Sequence, residues 1–256
     1  MCSSDLLRLV PLAEELEQSD LSERLLLHAE VAASDDVERG WVRMEHLRRG
    51  RGSLDDLLGL ATEAEGLQDG TRLAAAAFHH AGLLLHARGE NEDSLAMINR
   101  SLRHRERVGD EEGQAYGLAA KAACQKALNL FEEAIATETE RLGLMERMND
   151  EEGLMEVLAD LAHLHATLGE VDLASDHLQR SMEVAQVLQD LSGQLVAAWG
   201  LADLAEIAED YSTAMLHLSD VVHAFMAAGL PAPEPLRERI QALTNLTDGQ
   251  IGRAHV

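Results

Sequence analysis

The side chains most able to carry chemistry in this chain are its 12 histidines. His79 and His80 are adjacent, so on a helix they point in different directions. The same holds for His163, which lies two residues before His165. No histidine pair in the sequence has the i, i+4 spacing of a helical zinc site, and no Gly-rich phosphate loop, HExxH or CxxC motif occurs. We therefore expect no metal, no cofactor and no catalytic activity.

The acidic runs at 109–113 and 149–153 are candidates for calcium binding, but they lack the alternating oxygen ligands of an EF-hand loop. Asp110 and Asp150 within them are typical of residues that cap the start of a helix, and the acids that follow complement the positive end of the helix. We interpret both runs as helix starts.

The charge of the chain limits its partners. Its 256 residues include 46 Asp and Glu against 21 Lys and Arg, which gives a net charge of −25. General binding to DNA or RNA, or adhesion to an anionic membrane, would need a basic surface and is excluded. The one concentrated basic patch, Arg48-Arg49-Gly50-Arg51, is expected to be a solvated turn. We expect partners to be proteins or peptides that are neutral or basic.

The body of the chain is predicted to be all α-helix. Proline occurs only at Pro11 and in the cluster Pro231, Pro233 and Pro235, so none interrupts 12–230. Aromatic residues make up only 3% of the sequence, and its alanine-rich strings favour helix. No alternating β-branched run indicates a strand.

The sequence repeats with a period of 40 residues. Gly113, Gly153 and Gly193 recur at this spacing, each after a residue pattern typical of a helix start. A second turn comes halfway through each period, and we place these turns at Gly89, Asn129, Gly169 and Glu209. Each unit is therefore predicted to be a helix, a tight turn and a second helix.

Columns of small residues support this register. They predict close approach of the two helices of a pair, and they comprise Gly82, Ala122, Ala162 and Ala202 in the first helices and Ser94, Ala134, Ala174 and Ala214 in the second. Cys124 shares a column with Leu84, Leu164 and Leu204, which favours a small core residue over a reactive thiol.

The pattern resembles the tetratricopeptide repeat. Leu161, Ala162, Gly169 and Ala174 match its motif well, and the period resembles that of the longer variants, of roughly 40 residues, in bacterial regulatory proteins. The resemblance covers about 34–228. It implies an all-α fold in which antiparallel helix pairs form a right-handed superhelix, or α-solenoid.

The predicted domain organisation follows from these repeats. It comprises a partial helical hairpin at 6–33, repeat units near 34–69, 70–112, 113–152, 153–192 and 193–228, and a Pro-containing linker with a C-terminal helix at 229–250.

The segments 1–5 and 251–256 look foreign to the rest of the chain. Ile251-Gly252-Arg253-Ala254-His255 can be encoded by ATC GGA AGA GCA CAC. The reverse complement of that string, with GTG read as a start codon, encodes Met1-Cys2-Ser3-Ser4-Asp5. The string resembles a common sequencing adapter, so we interpret both ends as adapter read-through in a metagenomic fragment and exclude them from the fold. The natural gene is then expected to extend past both ends.

The resemblance also implies a candidate binding surface, because first helices line the concave face in this family. The predicted partner groove comprises His46, His79, His86, Tyr116, Lys126, His163, Trp199 and Asp203, flanked by Val42, Arg49, Leu83, Ala119, Ala123 and Glu206. Tyr116 and Trp199 are candidate anchors, since aromatic residues dominate binding hot spots. Packing of Trp199 against the next repeat remains an equal alternative.

Two functions are compatible with this organisation. The first is a cytoplasmic scaffold, not an enzyme, that binds peptide or helical segments of partner proteins in a concave groove. The alternative is a sensory or regulatory segment of a larger bacterial signalling protein, such as a transcriptional regulator or diguanylate cyclase, whose output domain lies outside this chain.

Overall fold

The computed structural model describes residues 3–50 and 52–254, with side chains described for 3–50 and 52–246. Within these ranges it contains thirteen α-helices and no β-strand. The helices are α1 (Ser3–Glu15), α2 (Ser19–Ala32), α3 (Asp36–Arg48), α4 (Leu54–Glu65), α5 (Thr71–Ala87), α6 (Asn91–Arg107), α7 (Glu111–Ala127), α8 (Phe131–Met148), α9 (Glu151–Thr167), α10 (Val171–Leu188), α11 (Leu191–Ile207), α12 (Tyr211–Ala227) and α13 (Glu234–Ala254).

The helices form two compact units, which are described separately below. The N-terminal unit holds α1–α7 and the C-terminal unit holds α8–α13. Within each unit, helices that are consecutive along the chain pack against one another through short connections. The fold class is therefore all-α and built from consecutive helix pairs, as predicted from the repeats.

The recurring glycines are explained by the helix caps beside them. The Asp110 and Asp150 carboxylates accept hydrogen bonds from the backbone N–H of Gly113 and Gly153, at 3.1 Å and 2.9 Å. A Cβ atom at Gly153 would lie only 2.7 Å from the Asp150 carboxylate and would also collide with Met145. Glycine is thus the residue that lets the cap and the preceding helix approach the new helix start.

The turns within each helix pair adopt the left-handed conformation. The backbone φ angle is 79° at Gly89, 57° at Asn129, 77° at Gly169 and 58° at Glu209. These are the four positions at which the register predicts a turn. At the Gly169 turn, the N–H of Glu170 then donates to the carbonyl of His165 at 2.9 Å, which closes the end of α9.

The small residues of the second helices are fully buried. Ser94, Ala134, Ala174 and Ala214 are all 0% exposed. A Cβ atom on Gly82 would lie 2.6 Å from the Ile98 side chain, so only glycine allows this approach. The columns therefore set the distance between helices, as the sequence predicts.

The two ends of the described chain are helical. The side chain of Ser3, in the first turn of α1, is buried. Helix α13 begins at Glu234 with Pro235 in its first turn, buries Leu236 and Leu243, and continues through 251–254. Residues 1–2 and 255–256 of the suspected adapter segments lie outside the described residues.

Candidate binding surfaces

The predicted groove residues divide between the two units. The N-terminal unit holds His46, His79, His86, Tyr116 and Lys126, and the C-terminal unit holds His163, Trp199 and Asp203. Tyr116 is 62% exposed and His163 is also exposed, whereas His46, His79, His86, Lys126 and Trp199 are half-buried.

The assignment of Val42 to the groove is wrong. Its side chain is only 4% exposed and packs in a core cluster with Leu6 and Leu26 of the first hairpin. Helices α1 and α2 cover the side of α3 that the repeat motif assigns to a ligand. The neighbouring Trp41 lies instead beside an open cavity.

This cavity, which we call the Trp41 cavity, lies among the first helices α1, α3 and α5 and has a volume of about 430 Å³. Apolar atoms of Trp41, Met44 and Leu7 contribute to its wall. Charged side chains surround them. The full lining is Ser3, Ser4, Leu7, Arg8, Glu38, Trp41, Met44, Glu45, Arg48, Ala76 and His80. Sequence analysis named Tyr116 and Trp199 as candidate anchors and missed the access of Trp41 to this cavity.

An ion-pair network fixes the rim of the Trp41 cavity. The Arg48 guanidinium lies 2.7 Å from a Glu45 oxygen and 2.8 Å from a Glu14 oxygen, and Arg49 also pairs with Glu14 at 2.8 Å. The Arg48 hydrogen bond lowers the pKa of Glu14, and the Glu45 carboxylate raises the pKa of Arg48. The expectation of a solvated basic turn is thus wrong for Arg48 and Arg49, because both join α3 to α1. Arg51 lies outside the described residues.

Burial keeps the neighbouring imidazoles uncharged. Burial, aided by Arg105 and His80, lowers the pKa of His79 to about 3. Its Nδ1 atom is buried without a hydrogen-bond partner. Burial also lowers the pKa of His80, which lines the cavity. Both rings are therefore neutral near pH 7, and the His80 wall of the cavity is uncharged.

Cys124 is a core residue, as predicted. It is 1% exposed, and its Sγ lies 3.0 Å from Ser94 Oγ and 3.9 Å from His86 Nδ1. Burial raises the pKa of this thiol and disfavours the reactive thiolate. His86 Nδ1 lies 2.7 Å from Asn91 Oδ1. Among the described residues, no group of three or more His, Cys, Asp or Glu side chains is arranged to hold a metal.

In the C-terminal unit, Trp199 is covered by the last helix. The Arg239 guanidinium of α13 lies 4.5 Å from the centre of the Trp199 ring. It also pairs with Asp203 and, at 2.6 Å, with Glu206. The indole packs against the core cluster that includes Leu236. Of the two interpretations of Trp199, these contacts favour packing, and Asp203 and Glu206 are engaged by the same arginine.

A second cavity, of about 540 Å³, lies among α9, α10 and α11 of the same unit. We call it the acidic groove, and its lining comprises Glu152, Met155, Glu156, Ala159, Asp160, Ser181, Asp190, Gly193 and Val196. Sequence analysis missed this groove, because it read the acids at 149–153 only as helix capping. A further sign of a binding surface is Val196 on α11, a β-branched apolar residue that is 58% exposed.

Comparison with known proteins identifies the fold. No family model matches the chain, and no curated protein matches its sequence. A STAND signal transduction ATPase with a tetratricopeptide repeat sensor, from Pyrococcus horikoshii, matches with a TM-score of 0.64 and 15% identity, over 88% of this chain and 35% of that one. The fold is that of tetratricopeptide repeat proteins.

Two further solved structures share this tetratricopeptide fold. BtubC from P. vanneervenii matches with a TM-score of 0.62 and 20% identity, over 91% of this chain and 93% of that one. A Rap protein complexed with Competence and Sporulation Factor matches with a TM-score of 0.55 and 16% identity, over 94% and 74%. At these identities the similarity establishes the fold alone. No helix in the described ranges is both long and apolar enough to cross a membrane.

Proposed function

We propose that the chain is a protein-interaction scaffold that binds a peptide or helical segment of a partner protein on the first helices of its repeats. The Trp41 cavity is the observation that carries this proposal. It places the Trp41 indole, with the buried Met44 behind it in the lining, beside an open recess of about 430 Å³ with a charged rim. Such a recess is typical of an interface hot spot.

The rim of the Trp41 cavity supports a peptide ligand. Arg48 is held by two carboxylates, so the rim presents fixed hydrogen-bonding groups around an apolar centre. An apolar centre surrounded by polar groups is the usual anatomy of a protein interface. The proposal does not depend on Ser3 and Ser4, which belong to the suspected adapter segment, because Trp41, Met44, Glu45, Arg48 and His80 lie outside it.

The proposal is tested by selecting peptides from a random display library on the purified chain. Each selected peptide is then titrated against Trp41→Ala and against Leu27→Ala, a control at an apolar residue of α2 that is 60% exposed and away from the cavity lining. Loss of the Trp41 indole should weaken binding by about 2 kcal/mol, whereas the control should bind normally.

Tryptophan emission gives an independent measurement. The chain has two tryptophans, so Trp199→Phe leaves Trp41 as the only one. Binding in the cavity should then shift or quench its emission. Selected peptides that bind a folded Trp41→Ala variant with unchanged affinity would argue against the cavity as the binding surface.

A sensory segment of a larger signalling protein is the second candidate function. The fold match to the Pyrococcus horikoshii STAND protein favours it, because that protein has a tetratricopeptide repeat sensor and this chain spans about a third of it. The longer genomic sequence around this chain tests the idea. An output domain encoded in the same reading frame is the expected result, and stop codons directly flanking 6–250 would contradict it.

A further inference from the structure

We propose that the acidic groove of the C-terminal unit binds an arginine-bearing, amphipathic segment of a protein partner. This inference rests on the proposed function, since it names the chemistry of a segment that the scaffold recognises. It concerns residues of α9 and α11 that take no part in the Trp41 cavity. The two proposals can therefore fail separately.

The charge of the groove favours a cation. Four carboxylates line it, those of Glu152, Glu156, Asp160 and Asp190, and none of the described lining residues is Lys, Arg or His. The Glu156 side chain is 64% exposed, so its carboxylate is accessible from solvent. A basic group entering the groove would meet carboxylates from the starts of both first helices.

A buried arginine holds two of these carboxylates in place. The Arg141 guanidinium of α8 lies 3.0 Å from a Glu156 oxygen and 3.6 Å from an Asp160 oxygen. Its side chain is only 6% exposed, so its charge is not presented to solvent. Arg141 also pairs with the buried Glu138. Glu156 and Asp160 are therefore oriented by Arg141 in the free chain, which lowers the cost of ordering these two carboxylates on binding.

The floor of the groove suits the aliphatic part of a long basic side chain. Val196 is 58% exposed, and Met155 and Ala159 contribute further apolar atoms to the lining. A Cβ atom at Gly193 would lie 3.0 Å from Met155 Sδ, so glycine allows α11 to approach this thioether closely. An arginine or lysine can pack its methylene stem on such a floor while its charged end reaches the carboxylates.

The C-terminal unit already contains an arginine that packs on an apolar surface and pairs with two carboxylates. Arg239 of α13 lies over the Trp199 ring and pairs with Asp203 and Glu206 of α11. A helix packed on α11 can therefore place a guanidinium between an apolar surface and two carboxylates. The acidic groove offers the same combination without an arginine in its lining. The planar, forked guanidinium matches paired carboxylates better than an ammonium does, which favours arginine over lysine.

Two matched peptides test the inference on the full chain. The probe is a fluorescein-labelled amphipathic helical peptide of leucine, alanine and arginine. Its control has every arginine replaced by citrulline, which has the same shape without the charge. We expect the arginine peptide to bind at least about tenfold more tightly, because charge-assisted hydrogen bonds are lost with citrulline. Added salt should reduce this difference.

Two charge-matched double variants separate the groove from the general negative charge of the chain. Glu152→Gln with Glu156→Gln should weaken the arginine peptide about tenfold. Glu132→Gln with Glu133→Gln removes the same charge from exposed positions in the first turn of α8 and should change binding less than about twofold. Val196→Arg places a long side chain at an exposed position of the groove and should block binding. This variant tests the inference even if the acidic double variant fails to fold.

Three results would each overturn the inference that the acidic groove binds an arginine-bearing segment. Equal weakening in the two double variants would mean general attraction to an acidic protein and would overturn the inference. Equal affinity for the arginine and citrulline peptides, or unchanged binding to Val196→Arg, would also overturn it. The proposed function would survive these results if peptides selected from the library still depend on Trp41.

Discussion

The two tryptophans of the chain lie on first helices of their helix pairs, and each packs against a core cluster, but their remaining surfaces differ. Trp41, on α3, lies beside an open cavity of about 430 Å³. Trp199, on α11, lies under the Arg239 guanidinium and against a core cluster. The type of residue is thus a poor guide to its role in a repeat protein, because a helix far along the chain decides whether the indole is available.

Removing a buried side chain from α13, the helix that covers Trp199, should lower the unfolding free energy strongly. Leu236→Ala in α13 removes a side chain that is 0% exposed, and we expect the chain to lose about 3 kcal/mol of unfolding free energy. Looser packing of α13 should also shift Trp199 emission to longer wavelength. Leu246→Ala, at a position of the same helix that is 47% exposed, is the control and should cost less than about 0.5 kcal/mol. Similar losses for both variants would mean that α13 does not cover this surface in solution.

The tryptophans themselves provide a direct comparison. Trp199→Ala should lower the unfolding free energy by about 3 kcal/mol, because the indole packs in a core cluster. Trp41→Ala should cost less, about 2 kcal/mol, because its indole packs against a core cluster but also borders an open cavity. Urea denaturation of each variant gives these values. The reverse order of the two losses would contradict the contrast between the two sites.

The pH dependence of stability should report the buried imidazoles near the Trp41 cavity. Burial lowers the pKa of His79 from 6.5 to about 3, so the unfolded chain takes up a proton near pH 6 that the folded chain does not bind. Stability should therefore fall as the pH drops below 6.5, by about 2 kcal/mol at pH 5 from this group.

Substitution of His79 isolates its share of this acid sensitivity. His79→Gln should reduce the loss of unfolding free energy between pH 7 and pH 5, measured by urea denaturation. Leu83→Ala, at a 40% exposed position of the same helix, changes no titratable group and should leave the pH dependence unchanged. Parallel pH profiles for the wild-type chain and His79→Gln would show that His79 remains accessible to protons.

Removing the arginine that covers Trp199 should have the smallest effect. Arg239→Gln loses the contact with the indole and the ion pairs with Asp203 and Glu206, and should cost about 1 kcal/mol. This cost should shrink in high salt. Arg237→Gln, on the exposed side of α13, should be neutral. A change of the same size at Arg237 would indicate a general charge effect.

The helical repeats could be predicted from the sequence because their signals are local. The Asp150 cap, the glycine that follows it and the left-handed Gly169 turn each depend on a few neighbouring residues. Small residues such as Ala174 report directly on the distance between adjacent helices. A period of 40 residues repeats these signals, so chance agreement is improbable.

The candidate binding surfaces could not be predicted to the same extent, because they depend on which helix covers which face. A repeat motif assigns Val42 and Trp199 to a groove, but the first hairpin buries Val42 and α13 covers Trp199. Neither contact follows from the periodicity. The acidic groove depends similarly on Glu152 and Val196, which are far apart in sequence and meet only when α9 and α11 pack.

The rate at which the buried thiol of Cys124 is chemically modified measures local opening of the helix stack. A thiol reagent such as DTNB cannot reach this sulfur while Ser94 of α6 and His86 of α5 lie against it, so modification has to wait until α7 separates from these helices. In a Cys2→Ser background, the ratio of its labelling rate to that of a free thiol gives the free energy of that separation. Measured with and without a bound peptide, this ratio would reveal whether ligand binding tightens the helix stack at a distance from the contact.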